Sequence, residues 1–130
     1  MASLKVKIPI KTISEANTHE HWTKSSKRHK NQKQVVKVYL NPYFNDPKYA
    51  DTLGLPCQIT LTRLAPRSLD DDENLPMAFK WIKDAICELL VPGKAIGQAD
   101  NDKRIQTKYA QMKGLPKEYA IQVEIIKNVV

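Results

Sequence analysis

The sequence predicts a small α/β (α+β) domain, a mixed sheet of about four strands with two main helices. Three observations predict it. Residues 4–13, 57–64, 105–112 and 119–126 alternate apolar and polar side chains, the period of a half-buried strand. Residues 75–90 repeat Leu75, Ala78, Phe79, Ile82, Ala85, Ile86, Leu89 and Leu90 at three- and four-residue steps, the period of one helical face. Residues 19–40 form a long basic run with apolar anchors and read as the second helix. At 130 residues the chain is expected to be one domain, 1–130, with one core, and it shows no internal repeat or low-complexity linker.

The first strand, LKVKIPIKTI, places Lys5, Lys7 and Lys11 on one side, and Pro9 marks an edge position or an end. A polar connection at 14–18 offers capping residues. The basic helix then carries Lys24, Lys27, Arg28, Lys30, Lys33 and Lys37, anchored by Val35, Val36, Tyr39 and Leu40 and, in its first half, mainly by Trp22. Such a run is either a solvated helix face or a surface whose cations hold phosphates without reading sequence. His19, His21 and His29 lack the spacing of a metal set, because residues two apart splay on a helix.

Residues 41–56 are rich in breakers (Pro42, Asn45, Pro47, Gly54, Pro56), with Tyr43, Phe44 and Tyr49 expected to pack that loop. The strand at 57–64 ends at Pro66 and delivers the chain into an acidic cluster. After the amphipathic helix, Pro92, Gly93 and Gly97 form a turn region. The strands at 105–112 and 119–126 are separated by Gly114 and Pro116 and are expected to pair as a hairpin.

Composition bounds the function. Hydrophobic residues make up 42% and charged residues 27%, as in a soluble globular protein. The absence of a bilayer-length apolar run and of a secretory leader points to a cytoplasmic protein with no membrane partner. Cys57 and Cys87 lack zinc-ligand spacing and are expected to be reduced and inert. The net charge of +7 points to an anionic partner, nucleic acid being the commonest. The basic charge concentrates toward the N-terminus and the acids between Asp70 and Asp102. A positive field beside a small acidic pocket is what a metal-dependent nuclease needs.

The acidic cluster is Asp70, Asp71, Asp72 and Glu73, at the start of the amphipathic helix. Pro76 is tolerated there because a first-turn N–H has no helical partner. Glu73, Lys80 and Asp84 are expected on the polar face, and a second acidic group, Asp100 and Asp102, follows the helix. One acid at a helix N-terminus is an ordinary cap. Four in succession repel one another, and the helix dipole does not require them.

Three segments carry a resemblance to a known family: EHW…KRHK in the basic run, LDDDENL…K…DAI through the acidic helix start, and ADNDKRI before the third strand. In order and spacing the chain resembles the RusA-like Holliday-junction resolvases, endonucleases of bacteria and their phages. The resemblance implies a small α/β fold, a homodimer, and Mg2+-dependent cutting of four-way DNA junctions in recombination and repair, with no small-molecule cofactor, in a bacterial or phage-infected cytoplasm. By position, Asp71 and Glu73 match the first acidic pair, Asp102 the second-motif acid, and Lys80 the catalytic lysine. Asp71, Glu73 and Asp102 are then the implied metal ligands. Lys24, Lys27, Arg28, Lys30 and Lys33 are the candidate DNA contacts. The family has aspartate where this chain has Glu73, which leaves the register Asp70 and Asp72 open. Asn101 stands where an acid is frequent, which leaves Asp100 open in place of Asp102. Two rival readings are a non-catalytic basic DNA-binding dimer and a nuclease for flaps or forks.

Overall fold

A computed structural model describes residues 3–13, 22–69, 74–93 and 98–127. Four strands form one mixed sheet: β1 (Ser3–Ile8), β2 (Cys57–Ala65), β3 (Ile105–Lys113) and β4 (Ala120–Lys127), in the order β1-β4-β2-β3. Beside the sheet lie α1 (Trp22–Phe44), the short α2 (Asn74–Ala78) and α3 (Lys80–Leu90). The α/β class and the four-strand, two-main-helix plan are as expected.

The expected hairpin is not what forms. β4 lies between β1 and β2, antiparallel to both, and β3 pairs with β2 in parallel. The reason is burial. β4 reads AIQVEIIK, with Ile121, Val123 and Ile125 fully buried, and so suits the sheet centre. β3 carries exposed Gln106, Lys108, Met112 and Lys113 and suits an edge. β1 ends at Ile8, before Pro9, and forms the other edge.

Alternation on β1, β2 and β4 turns Leu4, Val6, Ile8, Ile59, Leu61, Ile121, Val123 and Ile125 toward the helices. α1 covers them with Val36 and Leu40, and α3 with Ile82, Ala85, Ile86 and Leu90. α1 runs past the expected end at Leu40 and takes Pro42 into its last turns. Trp22 is left 73% exposed, outside the core. Beyond it, Tyr43 and Tyr49 meet edge to face at 5.3 Å and pack against the core, together with Phe44.

The two main helices run parallel. His29 stacks on Trp81 with ring centroids 4.3 Å apart, Lys33 reaches Asp84, and Lys37 reaches Glu88. Asp84 is therefore not on a solvated polar face: it is buried, and its Oδ2 accepts a 2.8 Å hydrogen bond from Lys33. Lys33 also reaches Glu88 at 2.5 Å, and Lys37 reaches the same carboxylate at 2.6 Å. Cys57 and Cys87 are buried and form no disulfide. Among the described residues no helix is long and apolar enough to cross a membrane.

Candidate functional site

The parallel β2–α3–β3 unit fixes where each candidate side chain can lie. β2 and β3 point the same way, and α3 returns the chain between them. Everything that follows β2 therefore starts at the far end of the sheet from everything that precedes β3.

At the β2 exit the chain is held twice. Gln111 of β3 donates from Nε2 to the Leu69 carbonyl (2.7 Å) and accepts at Oε1 from the Leu69 amide (2.8 Å). Arg63 of β2 donates from Nη1 to the Arg67 carbonyl (2.5 Å) and from Nε to the Thr12 hydroxyl (2.8 Å). Arg63 is buried, and burial holds its guanidinium below the usual pKa, with Tyr119 opposing that shift. Lys11 places its ammonium 4.6 Å from the Tyr119 ring at the same end of the sheet.

Asp70, Asp71, Asp72 and Glu73 follow directly and lie outside the described residues, as do His19 and His21. The description resumes at Asn74, where α2 begins. A turn at Phe79 separates α2 from α3, so the single expected helix is two pieces. Lys80, the candidate catalytic lysine, is exposed, with its ammonium 5.0 Å from the Trp81 ring. A salt bridge from Lys80 to Asp84 does not form, since Asp84 pairs with Lys33. A cation over an indole face is attracted by the ring quadrupole, so Trp81 orients Lys80 while His29 braces the indole.

Asp102 is at the other end. It precedes β3, beside the start of β2, where the Cys57 amide donates to the Arg104 carbonyl (2.9 Å). Of the candidate carboxylates, Asp102 is the one whose side chain is described; Asp100 is described only as backbone in a short 3-10 helix, Ala99–Asn101. The Asp102 side chain is 5% exposed. Its Oδ1 accepts from the Arg104 amide (2.9 Å) and Nε (3.0 Å), and its Oδ2 accepts from Arg104 Nη2 (2.8 Å). The amide contact is an Asx turn that starts β3. The Arg104 guanidinium is held above its usual pKa by this carboxylate. Burial, with a contribution from the Asp102 charge, pushes the Cys57 thiol up to about 11.

Among the described residues no three His, Cys, Asp or Glu side chains gather to hold a metal. The donor chemistry of Asp102 nevertheless suits a hard divalent cation, which prefers carboxylate oxygens. Arg104 now supplies the positive partner, and its side chain is 56% exposed and able to swing away. Leu69, the described residue before the first acidic segment, is held at the opposite end of β3 from Asp102. Gln111, which holds Leu69, is six residues beyond Ile105 on β3, about 20 Å at strand rise.

The basic helix divides its cations. Lys24, Lys27 and Lys30 are exposed along α1, and Arg28 is half-buried beside Gln32 and Val35 in a pocket against Ile10 and Lys11. Lys33 faces inward to Asp84 and Glu88.

Arg63, Gln111 and Trp81 are not singled out by any motif, and Arg104 stands within ADNDKRI with no role assigned to it. The available signal was a polar residue at an inward position of an alternating strand, which Arg63 is in CQITLTRLA. The chain matches no protein-family model and no curated protein.

Proposed function

We propose that the protein is a Mg2+-dependent, structure-specific DNA endonuclease that resolves four-way junctions as a homodimer, in the cytoplasm of a bacterial or phage-infected cell. The observation that supports it most is the position of the two acidic motifs at the boundaries of one β2–α3–β3 unit, with exposed lysines along the neighbouring α1.

Asp71 and Glu73, or Asp70 and Asp72 in the other register, would hold Mg2+ together with Asp102. The roughly 20 Å between the two ends of the β2–β3 pair argues that Asp102 acts with the acidic cluster of the partner subunit. A two-fold dimer then has two such sites, suited to a symmetric junction. When bound, Mg2+ supplies Lewis-acid polarisation of a phosphodiester and a more acidic water. Lys80, oriented by Trp81, offsets charge on the phosphorane-like transition state or orients the attacking water. Lys24, Lys27 and Lys30, with Arg28, hold the DNA backbone without reading its sequence.

The test is a labelled four-way junction incubated with Mg2+. The wild type cuts symmetrically, and Asp71→Asn and Asp102→Asn bind without cutting. Full cleavage by both variants would overturn the site assignment. One observation favours the rival, non-catalytic DNA-binding dimer: Asp102 is fully engaged by Arg104 and caps β3. Binding without cleavage by the wild type would establish that rival, and preferential cutting of flaps or forks would redirect the substrate.

A further inference from the structure

Resting on the reading of this chain as a DNA-binding protein, we infer that the pocket between α1 and the chain leaving β1 takes one unpaired nucleotide, its base against Gln32 and its phosphate on Lys11 and Arg28. The pocket measures about 220 Å³, several times the roughly 30 Å³ of one water in the liquid. Its lining is of three kinds. Ile10, Ile13 and Val35 are apolar, Gln32 carries an amide, and Lys11 and Arg28 carry positive charge. Among the described residues no acid lines it.

Gln32 is the group that points to a ligand. It is 6% exposed, and its Oε1 is buried without a hydrogen-bond partner. A buried acceptor left unpaired destabilises a fold, and an apolar side chain of similar size carries no such penalty. Stability alone therefore does not call for glutamine here. The last torsion of a glutamine side chain is broad, so the carboxamide turns toward the pocket with little strain. A bare phosphodiester has no donor and would leave Oε1 unpaired. A nucleotide brings both groups that the pocket lacks: a negative phosphate for the two cations, and a base edge with an N–H beside a ring nitrogen. Adenine fits best, because a glutamine carboxamide accepts from its N6 amino group and donates to its N7 in one pair of bonds. The aliphatic walls suit the faces of the ring. The Lys11 ammonium lies 4.6 Å from the Tyr119 ring, which attracts it without neutralising it. A base already out of its stack is the least costly to seat, so the source within DNA is a looped or branch-point nucleotide.

The experiment uses the full chain in EDTA, so that no divalent cation takes part. Fluorescence anisotropy follows binding to labelled duplexes with one bulged adenine, with an abasic bulge, or fully paired. The wild type should bind the adenine bulge about tenfold more tightly than the abasic bulge, the worth of one bidentate amide–base pair. Gln32→Met should bring the two within about twofold, with Tm unchanged or raised. Ile13→Trp fills the pocket from a half-buried wall and should do the same; it carries the test if Gln32→Met does not fold. Competition separates the sources. Displacement by dAMP beyond that by equal inorganic phosphate assigns the pocket to nucleotides, free or in a strand, and an adenine preference that resists dAMP assigns it to a base within a strand. No adenine preference in the wild type, or the same preference in both variants, would overturn the nucleotide pocket while leaving the DNA-binding reading standing. A wild type that binds none of the duplexes would overturn both.

Discussion

Removing the Lys33 ammonium is the sharpest perturbation of the α1–α3 interface. The Asp84 side chain is 8% exposed, and its Oδ1 is buried without a hydrogen-bond partner. Lys33 supplies the hydrogen bond to Oδ2. In Lys33→Ala the carboxylate is left buried and unpaired, a change that costs about 3–5 kcal/mol in a fully buried pair. Lys33 is itself 20% exposed, and Glu88 keeps Lys37; the expected loss is therefore about 2–4 kcal/mol, or about 6–15 °C in Tm for a domain of this size. The double variant Lys33→Met/Asp84→Leu replaces the pair with apolar side chains and should recover most of that loss. The pH profile is an independent readout. Burial alone would lower the Lys33 pKa, but the hydrogen bonds and charges of Asp84 and Glu88 outweigh it and raise the value. Its contribution is thus fully present below the unfolded lysine range and lost as pH rises through the raised folded value. Burial alone would raise the Glu88 pKa, but Lys33 and Lys37 lower it. Its contribution is present above the unfolded glutamate range and lost as pH falls through the lowered value. Wild-type stability minus that of the double variant should therefore be flat at neutral pH and fall at both extremes. A loss below about 0.5 kcal/mol in Lys33→Ala, the level of an ordinary surface change, or a double variant no better than the single, would refute the reasoning.

Other outcomes follow from the same structure. Replacing Lys24, Lys27 and Lys30 with Ala should weaken junction binding and reduce the slope of log affinity against log salt by about 2–3; an unchanged slope would make this a merely solvated helix face. Iodoacetamide at pH 8 should leave the buried Cys57 unlabelled in the native protein, since its thiol titrates at about 11; native labelling read by mass spectrometry would contradict that burial. Arg104→Gln, which removes the guanidinium from Asp102, should tighten Mn2+ binding if Asp102 is a ligand, and calorimetry showing no change would argue that Asp102 serves only the turn.

Much of the fold was legible because alternation and helical period are direct imprints of burial. β1, β2, β4 and α3 all appear where those periods fall. Strand order was not legible. A short Gly-Pro turn between two alternating stretches signals a hairpin, yet β4 is more apolar than β3 and takes the central position between β1 and β2. Asp84 was misread for a related reason. Period alone sets it opposite the apolar stripe of α3, but the parallel α1 covers that flank and supplies Lys33. The same contact turns inward Lys33, one of the candidate DNA contacts that the charge pattern groups together. Motif spacing marked Asp102 and Lys80, while their partners Arg104 and Trp81 emerge only from the fold. Arg63 and Gln111 meet across strands 48 positions apart in sequence, beyond the reach of any local pattern.

The most direct measurement is complementation between two inactive subunits. Asp71→Asn and Asp102→Asn chains, differently tagged and co-expressed, would be purified as mixed dimers and assayed on a four-way junction with Mg2+. If each site joins the acidic cluster of one subunit to Asp102 of the other, one site in the mixed dimer carries both wild-type acids, and single nicks should return although neither parent dimer cuts. Mixed dimers that stay inactive while wild-type dimers carrying the same tags cut would contradict the shared site.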